Sequence, residues 1–291
     1  MRPTTSYWLF VPLCLVSTVI WWRDLRATFG LAIRNDAYTH ILLILPICAI
    51  LIVLRFKDRA FRPTPGRLGG SLMMGMSILI GFAGLTWVRP IVFTDDVHLA
   101  IEMSAIVLWW IGSFVFCFGT RIFRDCAFPL LLLLWLVPIP EVALNRIVEG
   151  LQHGTASITR GMFTMVGVPV TQKATSVSIP GLTVEVSEEC SSIRSSMMLV
   201  VIAMVMSYLL LRSAWGRAIV ILAAVPLCIA KNGLRVFTLT ALGAYVDPGV
   251  LNSPLHRQGG VLFLAVALAG LSAMIWIVRR LELRSARPSV A

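Results

Sequence analysis

Eight apolar runs, each long enough to cross a lipid bilayer as a helix, succeed one another along this sequence. A transmembrane helix needs about 20 predominantly apolar residues, and 58% of the 291 residues are apolar whereas 13% are charged. This balance excludes a soluble enzyme, a disordered chain and an ordinary nucleic-acid-binding domain. We therefore predict an all-α polytopic membrane protein with about eight spans, at 6–22, 38–55, 68–88, 97–119, 121–137, 191–211, 217–245 and 261–278.

The charge of the loops predicts the orientation of these spans. With eight spans both termini lie on one side, whose loops carry fourteen basic and three acidic residues, against eight basic and ten acidic residues opposite. Because basic residues are retained in the cytoplasm, we expect both termini there and a multi-pass protein of the bacterial inner membrane. The net charge of +11 then reflects basic residues held on the cytoplasmic side rather than a polyanion partner. We expect the lipid bilayer as a partner and no nucleic acid.

The connection between the fifth and sixth spans is the longest. Pro138 and Pro140 end the fifth span, because proline cannot continue a helix. The stretch 141–165 has the apolar spacing of an amphipathic helix. Apolar residues then alternate on both sides of Pro180-Gly181, which predicts a short β-hairpin just before the sixth span. We predict a single membrane domain over 1–291, with 138–189 as an extracytoplasmic cap.

Ionisable residues inside spans are costly and therefore point to function. The seventh span contains Lys231, Asn232 and Arg235 in a run longer than a bilayer requires, so we expect it either to tilt strongly or to break near Gly233. Glu102 lies inside the fourth span. The sequence leaves the roles of Glu102 and Lys231 open.

Cys190 differs from the other five cysteines, which lie in apolar runs and read as small hydrophobic residues rather than as a disulfide framework. It stands at the predicted outer start of the sixth span, one helical turn before Arg194. The start of a helix favours a thiolate, whereas Glu188 and Glu189 oppose one. The alternative is an incidental interfacial thiol, with Arg194 paired to one of these glutamates.

All four histidines fall at or beyond the outer ends of predicted spans, where interfacial placement explains any one of them. His256 follows the span that carries Arg235 and so is expected on the same face as Cys190. A thiol, a guanidinium and an imidazole are the groups that acyl transfer needs. No metal-ligand spacing is present, so we expect neither a metal nor another cofactor.

Three segments together resemble a known family. Residues 190–196 (Cys-Ser-Ser-Ile-Arg-Ser-Ser) resemble the Cys-Ser-Gly-Ile/Leu-Arg-Ser signature of the exosortase/archaeosortase family of membrane cysteine transpeptidases. Residues 232–235 are similar to its Asn-x-x-Arg element, and His256 to its histidine element. A weaker likeness covers 36–40, around His40. Ser192 stands where the family has glycine, which bears on the backbone beside Cys190.

The resemblance implies a protease or transpeptidase that cleaves the C-terminal sorting signals of secreted proteins on the extracytoplasmic face. Such a signal combines a short motif (PEP-CTERM-like), a transmembrane helix and a basic tail; the acyl acceptor stays unknown. Cys190 would be the nucleophile, His256 the acid/base and Arg235 the oxyanion stabiliser. Supporting roles are implied for Arg194, Asn232 and His40.

The alternative is a transporter or assembly component of exopolysaccharide export, which also suits eight spans with a polar break in the seventh. A transporter needs ionisable sites near the midplane, whereas most of those found here are predicted to lie toward the outer face.

Overall fold

The computed structural model describes residues 3–58, 64–88, 95–186, 193–247, 249 and 260–285, and this part of the chain is mostly helical. Its α-helices are α1 (Pro3–Ile20), α2 (Trp22–Arg34), α3 (Ile41–Asp58), α4 (Arg67–Ala83), α5 (Asp95–Phe118), α6 (Thr120–Asp125), α7 (Ala127–Leu132), α8 (Glu141–Met165), α9 (Ile193–Leu210), α10 (Ala214–Tyr245) and α11 (Gly260–Ser285). Its strands are β1 (Thr171–Lys173), β2 (Ser176–Ile179) and β3 (Leu182–Glu185).

Six helical stretches of the described chain are each long and apolar enough to cross a membrane. They contain α3, α4, α5, α9, α10 and α11, in agreement with six of the predicted spans. The predicted first and fifth spans belong to bent pairs, α1 with α2 at 79° and residues 127–136 with α8 at 98°. If each pair counts as one span the total is eight, which confirms a polytopic helical membrane protein.

The chain forms two compact units, 1–144 and 145–291, with the boundary inside α8. In the first unit, α4 and α5 pack at very short range. A Cβ at Gly70 would lie 2.5 Å from the backbone of Phe116, and the Ser77 hydroxyl donates to the carbonyl of Ala105 at 2.6 Å. Small residues that bring two backbones together are typical of membrane helix interfaces.

A buried carboxylate lies beside the bend between α1 and α2. The indole N–H of Trp21 donates to Glu102 at 2.8 Å, and Nε2 of His98 lies 3.6 Å from the same carboxylate. Glu102 is 4% exposed, so it stabilises the contact between this bend and α5. The sequence did not predict α2, an amphipathic helix that buries Leu25 among its apolar residues.

In the second unit, α9, α10 and α11 share an apolar core. Its fully buried members are Leu199, Ala203, Leu211, Val220, Ala224, Cys228, Ala267, Leu271 and Ile275. Cys228 thus lies among hydrophobic side chains, as the sequence predicts for the cysteines of apolar runs.

A small antiparallel sheet of order β1-β2-β3 precedes α9. The predicted hairpin is β2 and β3, which pair Ile179 with Leu182 across Pro180-Gly181. Gly181 has φ +83°, as the third residue of a type II turn requires. Val177, Ile179 and Val186 pack with Phe163 of α8 and Val236 of α10 in a second core. The third strand, β1, was not predicted.

Candidate active site

The candidate site lies where the start of α9 meets the second half of α10. The two helices are joined by three residues, 211–213, and pack together as neighbours. Residues equally distant from this turn therefore lie opposite each other. Ser195 and Lys231 are such a pair, because each lies about four to five helical turns from the turn.

Two polar contacts join α9 to α10 at this level. The ammonium of Lys231 donates a hydrogen bond to the hydroxyl of Ser195. One turn earlier on α10, the thiol of Cys228 donates to the carbonyl of Ser196 at 3.6 Å. Lys231 is 4% exposed and Cys228 is 1% exposed. The start of α9 is therefore held to α10 by buried polar groups as well as by apolar packing.

Helix α8 covers another side of the same stretch of α10. A Cβ at Gly233 would lie 2.6 Å from Cγ2 of Ile158, and the Thr159 hydroxyl lies 3.3 Å from the carbonyl of Gly233. Thr155, Ala156 and Thr159 are fully buried. Gly233 is thus required by the close approach of α8, rather than by a break in the helix.

Three polar residues of α10 are buried close together along the helix. Asn232 is fully buried and Arg235 is 7% exposed, one turn beyond Lys231. Arg235 lies about 32 Å from the start of α10, close to the thickness of a hydrocarbon core. Neither α9 nor α10 contains an aspartate or glutamate. Two buried cationic side chains therefore lie one turn apart on this helix.

The other predicted site residues are distributed as follows. Arg194 lies in the first turn of α9 and is exposed, next to Ser195. Cys190 and His256 lie outside the described residues, so their predicted meeting with Arg235 stays a prediction. His40 belongs to the first unit, where Nδ1 lies 3.1 Å from the carbonyl of Ala37 and the ring packs edge-on against Trp135. The predicted supporting role of His40 stays a prediction.

Sequence reasoning did not identify the role of Ser195. The sequence feature that could have revealed the contact is the short connection between α9 and α10, because it places Ser195 opposite Lys231. Helix α10 continues through Gly233, so of the two alternatives stated for this span the break does not occur. A break there was one feature that suited the transporter alternative, which stays untested.

The fold and the buried cations define a polytopic membrane protein with a polar site at the end of a helical hairpin. The family model for transmembrane exosortases matches residues 21–273. The chain therefore belongs to the transmembrane exosortase family, a family of membrane transpeptidases and proteases that act on secreted substrates with C-terminal sorting signals. The comparisons with curated proteins and with solved structures found no match.

Proposed function

We propose that this exosortase is a cysteine transpeptidase that cleaves C-terminal sorting signals on the extracytoplasmic face of the bacterial inner membrane. The main support is the pair of buried cations, Lys231 and Arg235, on a helix packed against the start of α9. Cys190 precedes α9 by three residues in the sequence. In a cysteine protease, nearby positive charge stabilises two anions: the thiolate of the nucleophile and the oxyanion that forms on the substrate.

The proposed reaction proceeds through a thioester. His256 takes the thiol proton of Cys190, the sulfur attacks the scissile carbonyl carbon, and the guanidinium of Arg235 stabilises the resulting oxyanion. The carbon–nitrogen bond then breaks while His256 gives a proton to the departing amine, which leaves with the substrate's membrane helix. An acceptor nucleophile loses a proton to His256 and attacks the thioester, which releases Cys190.

The supporting residues have narrower roles in this proposal. Asn232 is fully buried one turn before Val236 and helps to shape the wall of the site from α10. Arg194 is exposed in the first turn of α9, and we assign it a contact with the substrate. In this proposal the segment 138–189 is the extracytoplasmic cap, and the sorting motif of the substrate docks beneath it. The transmembrane helix of the substrate packs laterally among the spans.

Replacement of Cys190 tests the proposal directly. A tagged secreted protein of the same host, ending in a short motif, a transmembrane helix and a basic tail, is coexpressed with the Cys190→Ala and Cys190→Ser variants. Both variants are expected to leave this reporter unprocessed at wild-type levels of membrane protein. The Cys14→Ala variant, which changes a cysteine of α1, is expected to process it normally. Normal processing by Cys190→Ala would refute the proposed nucleophile.

The role of Arg235 is tested by Arg235→Lys, which keeps the charge but loses the planar pair of donors. Loss of one oxyanion donor typically costs about 10²- to 10³-fold in kcat, and we expect a fall of that order in reporter cleavage. Arg160→Lys, an exposed change on α8, is the matched control and should be neutral. Full activity of Arg235→Lys would contradict a geometric role for the guanidinium.

A further inference from the structure

Lys231 is an unusual residue for the inside of a membrane helix. Lysines near the ends of spans normally extend their ammonium to the interface, but Lys231 lies about 26 Å from the start of α10 and is 4% exposed. Its ammonium instead contacts the hydroxyl of Ser195 on α9. Burying a charge inside a membrane span costs free energy, so a lysine kept at such a position points to a specific function.

The contact between Lys231 and Ser195 lies close to the end of the α9–α10 hairpin. Ser195 is two residues from Ile193, where α9 begins. Closer to the turn, apolar packing joins the two helices, with Leu199 and Ala203 of α9 and Val220 and Ala224 of α10 in one core. Lys231 therefore fixes the first turn of α9, the part of the helix that the apolar core holds least.

We propose that Lys231 is a positioning residue, which fixes the start of α9 through Ser195 and thereby sets the place of the nucleophile relative to Arg235. The inference rests on the proposed function, because Cys190 precedes α9 by three residues. Lys231 and Arg235 lie one turn apart on the same helix. The hydrogen bond from Lys231 to Ser195 of α9 therefore sets the distance between the segment that carries Cys190 and the guanidinium of Arg235. A misplacement of about 1 Å between reacting groups costs on the order of 10²-fold in rate.

The test compares Lys231→Met, Ser195→Ala and Ser195→Thr in reconstituted vesicles, with the tagged reporter described above as substrate. We expect kcat to fall by about 10²-fold in Lys231→Met and about 10-fold in Ser195→Ala, with KM within about twofold of wild type. Ser195→Thr keeps the hydroxyl acceptor and should retain most of the activity. The double variant Lys231→Met/Ser195→Ala should be no slower than Lys231→Met alone, because both changes remove one interaction.

A matched control separates positioning from general stability. Ser207 lies on the same helix, is 1% exposed, and its hydroxyl bonds within the helix to the carbonyl of Met204 at 3.0 Å. Ser207→Ala therefore removes a buried hydroxyl whose hydrogen bond lies within α9, and kcat should not change. The thermal stability of every variant is measured in parallel. If Lys231→Met does not fold, the contrast between Ser195→Ala and Ser195→Thr decides.

The inference is overturned if folded Ser195→Ala keeps the wild-type kcat, if only KM changes, or if the two losses are additive. These results are distinguishable from failure of the proposed function. If Cys190→Ala still processes the reporter, the proposed function fails. If Cys190→Ala is inactive while the Lys231 and Ser195 variants behave as wild type, only the positioning role fails.

Discussion

Gly233 is the position at which the packing of α8 on α10 is most sensitive to a single added carbon. An alanine Cβ there would lie 2.6 Å from Cγ2 and 3.0 Å from Cβ of Ile158. The first distance is shorter than real Cβ contacts allow, whereas the second is a tight contact that a shift of a few tenths of an ångström relieves. Gly233→Ala must therefore push α8 away from α10. Gly161 of α8 is the matched position, because nothing lies within 4 Å of a Cβ there.

The magnitude follows from two opposing effects. Overpacking of a well-packed contact typically costs about 1–3 kcal/mol. Alanine is favoured over glycine inside a helix by about 1 kcal/mol, a gain that both variants share. The difference in the free energy of unfolding between Gly161→Ala and Gly233→Ala isolates the steric cost, so we expect about 1–3 kcal/mol. In an Ile158→Ala background, where Cγ2 is absent, the difference should fall below about 1 kcal/mol.

The assay is unfolding by sodium dodecyl sulfate in mixed micelles, followed by tryptophan fluorescence, for which the chain offers nine tryptophans. The midpoints and slopes of all four variants are compared with those of the unchanged protein. If Gly233→Ala is as stable as Gly161→Ala, α8 does not pack on α10 in the way described. A difference that persists in the Ile158→Ala background would assign the cost to another contact.

Two further predictions concern buried or capping carboxylates. Trp21→Phe removes the donor to buried Glu102 and should lower the free energy of unfolding by about 1–3 kcal/mol, whereas the exposed neighbour change Trp22→Phe should be nearly neutral in the same unfolding assay. Glu282 accepts from the backbone N–H and the hydroxyl of Ser213 at the start of α10, so Glu282→Ala should cost about 1 kcal/mol. A thermal melt of Glu282→Ala that matches the unchanged protein would contradict this capping role.

Apolar periodicity was sufficient to predict the membrane helices and the hairpin of β2 and β3, because both patterns depend on local burial. It did not reveal α2, whose mixed polar composition follows directly after Trp22. It also missed β1, since Thr171, Gln172 and Lys173 show no apolar alternation and pair only with β2 at the edge of the sheet. Helix α2 packs on α5, a partner distant in sequence that a local pattern does not contain. Strand β1 pairs with the adjacent β2, but its polar residues carry no apolar alternation that would reveal it.

For the candidate site, the sequence indicated the polar residues of α10 but not the contacts that they make. The position of Arg235 inside a long apolar run indicated that it is buried. The composition of the chain alone did not. The long run itself left a break near Gly233 and a strong tilt equally open, and the packing of Ile158 against Gly233 explains why a glycine occurs in a continuous helix. The tie between Lys231 and Ser195 depends on which helices pair, and only the short turn at 211–213 hinted at that pairing.

The mass of the peptide that contains Cys190, measured after the enzyme is quenched during turnover of the tagged reporter, tests the central claim most directly. We predict an adduct on Cys190 equal in mass to the upstream acyl fragment, which hydroxylamine removes and which is absent from the Cys190→Ala variant. Reporter cleavage without any adduct on this peptide, or with an adduct on another residue, would contradict catalysis through a Cys190 thioester.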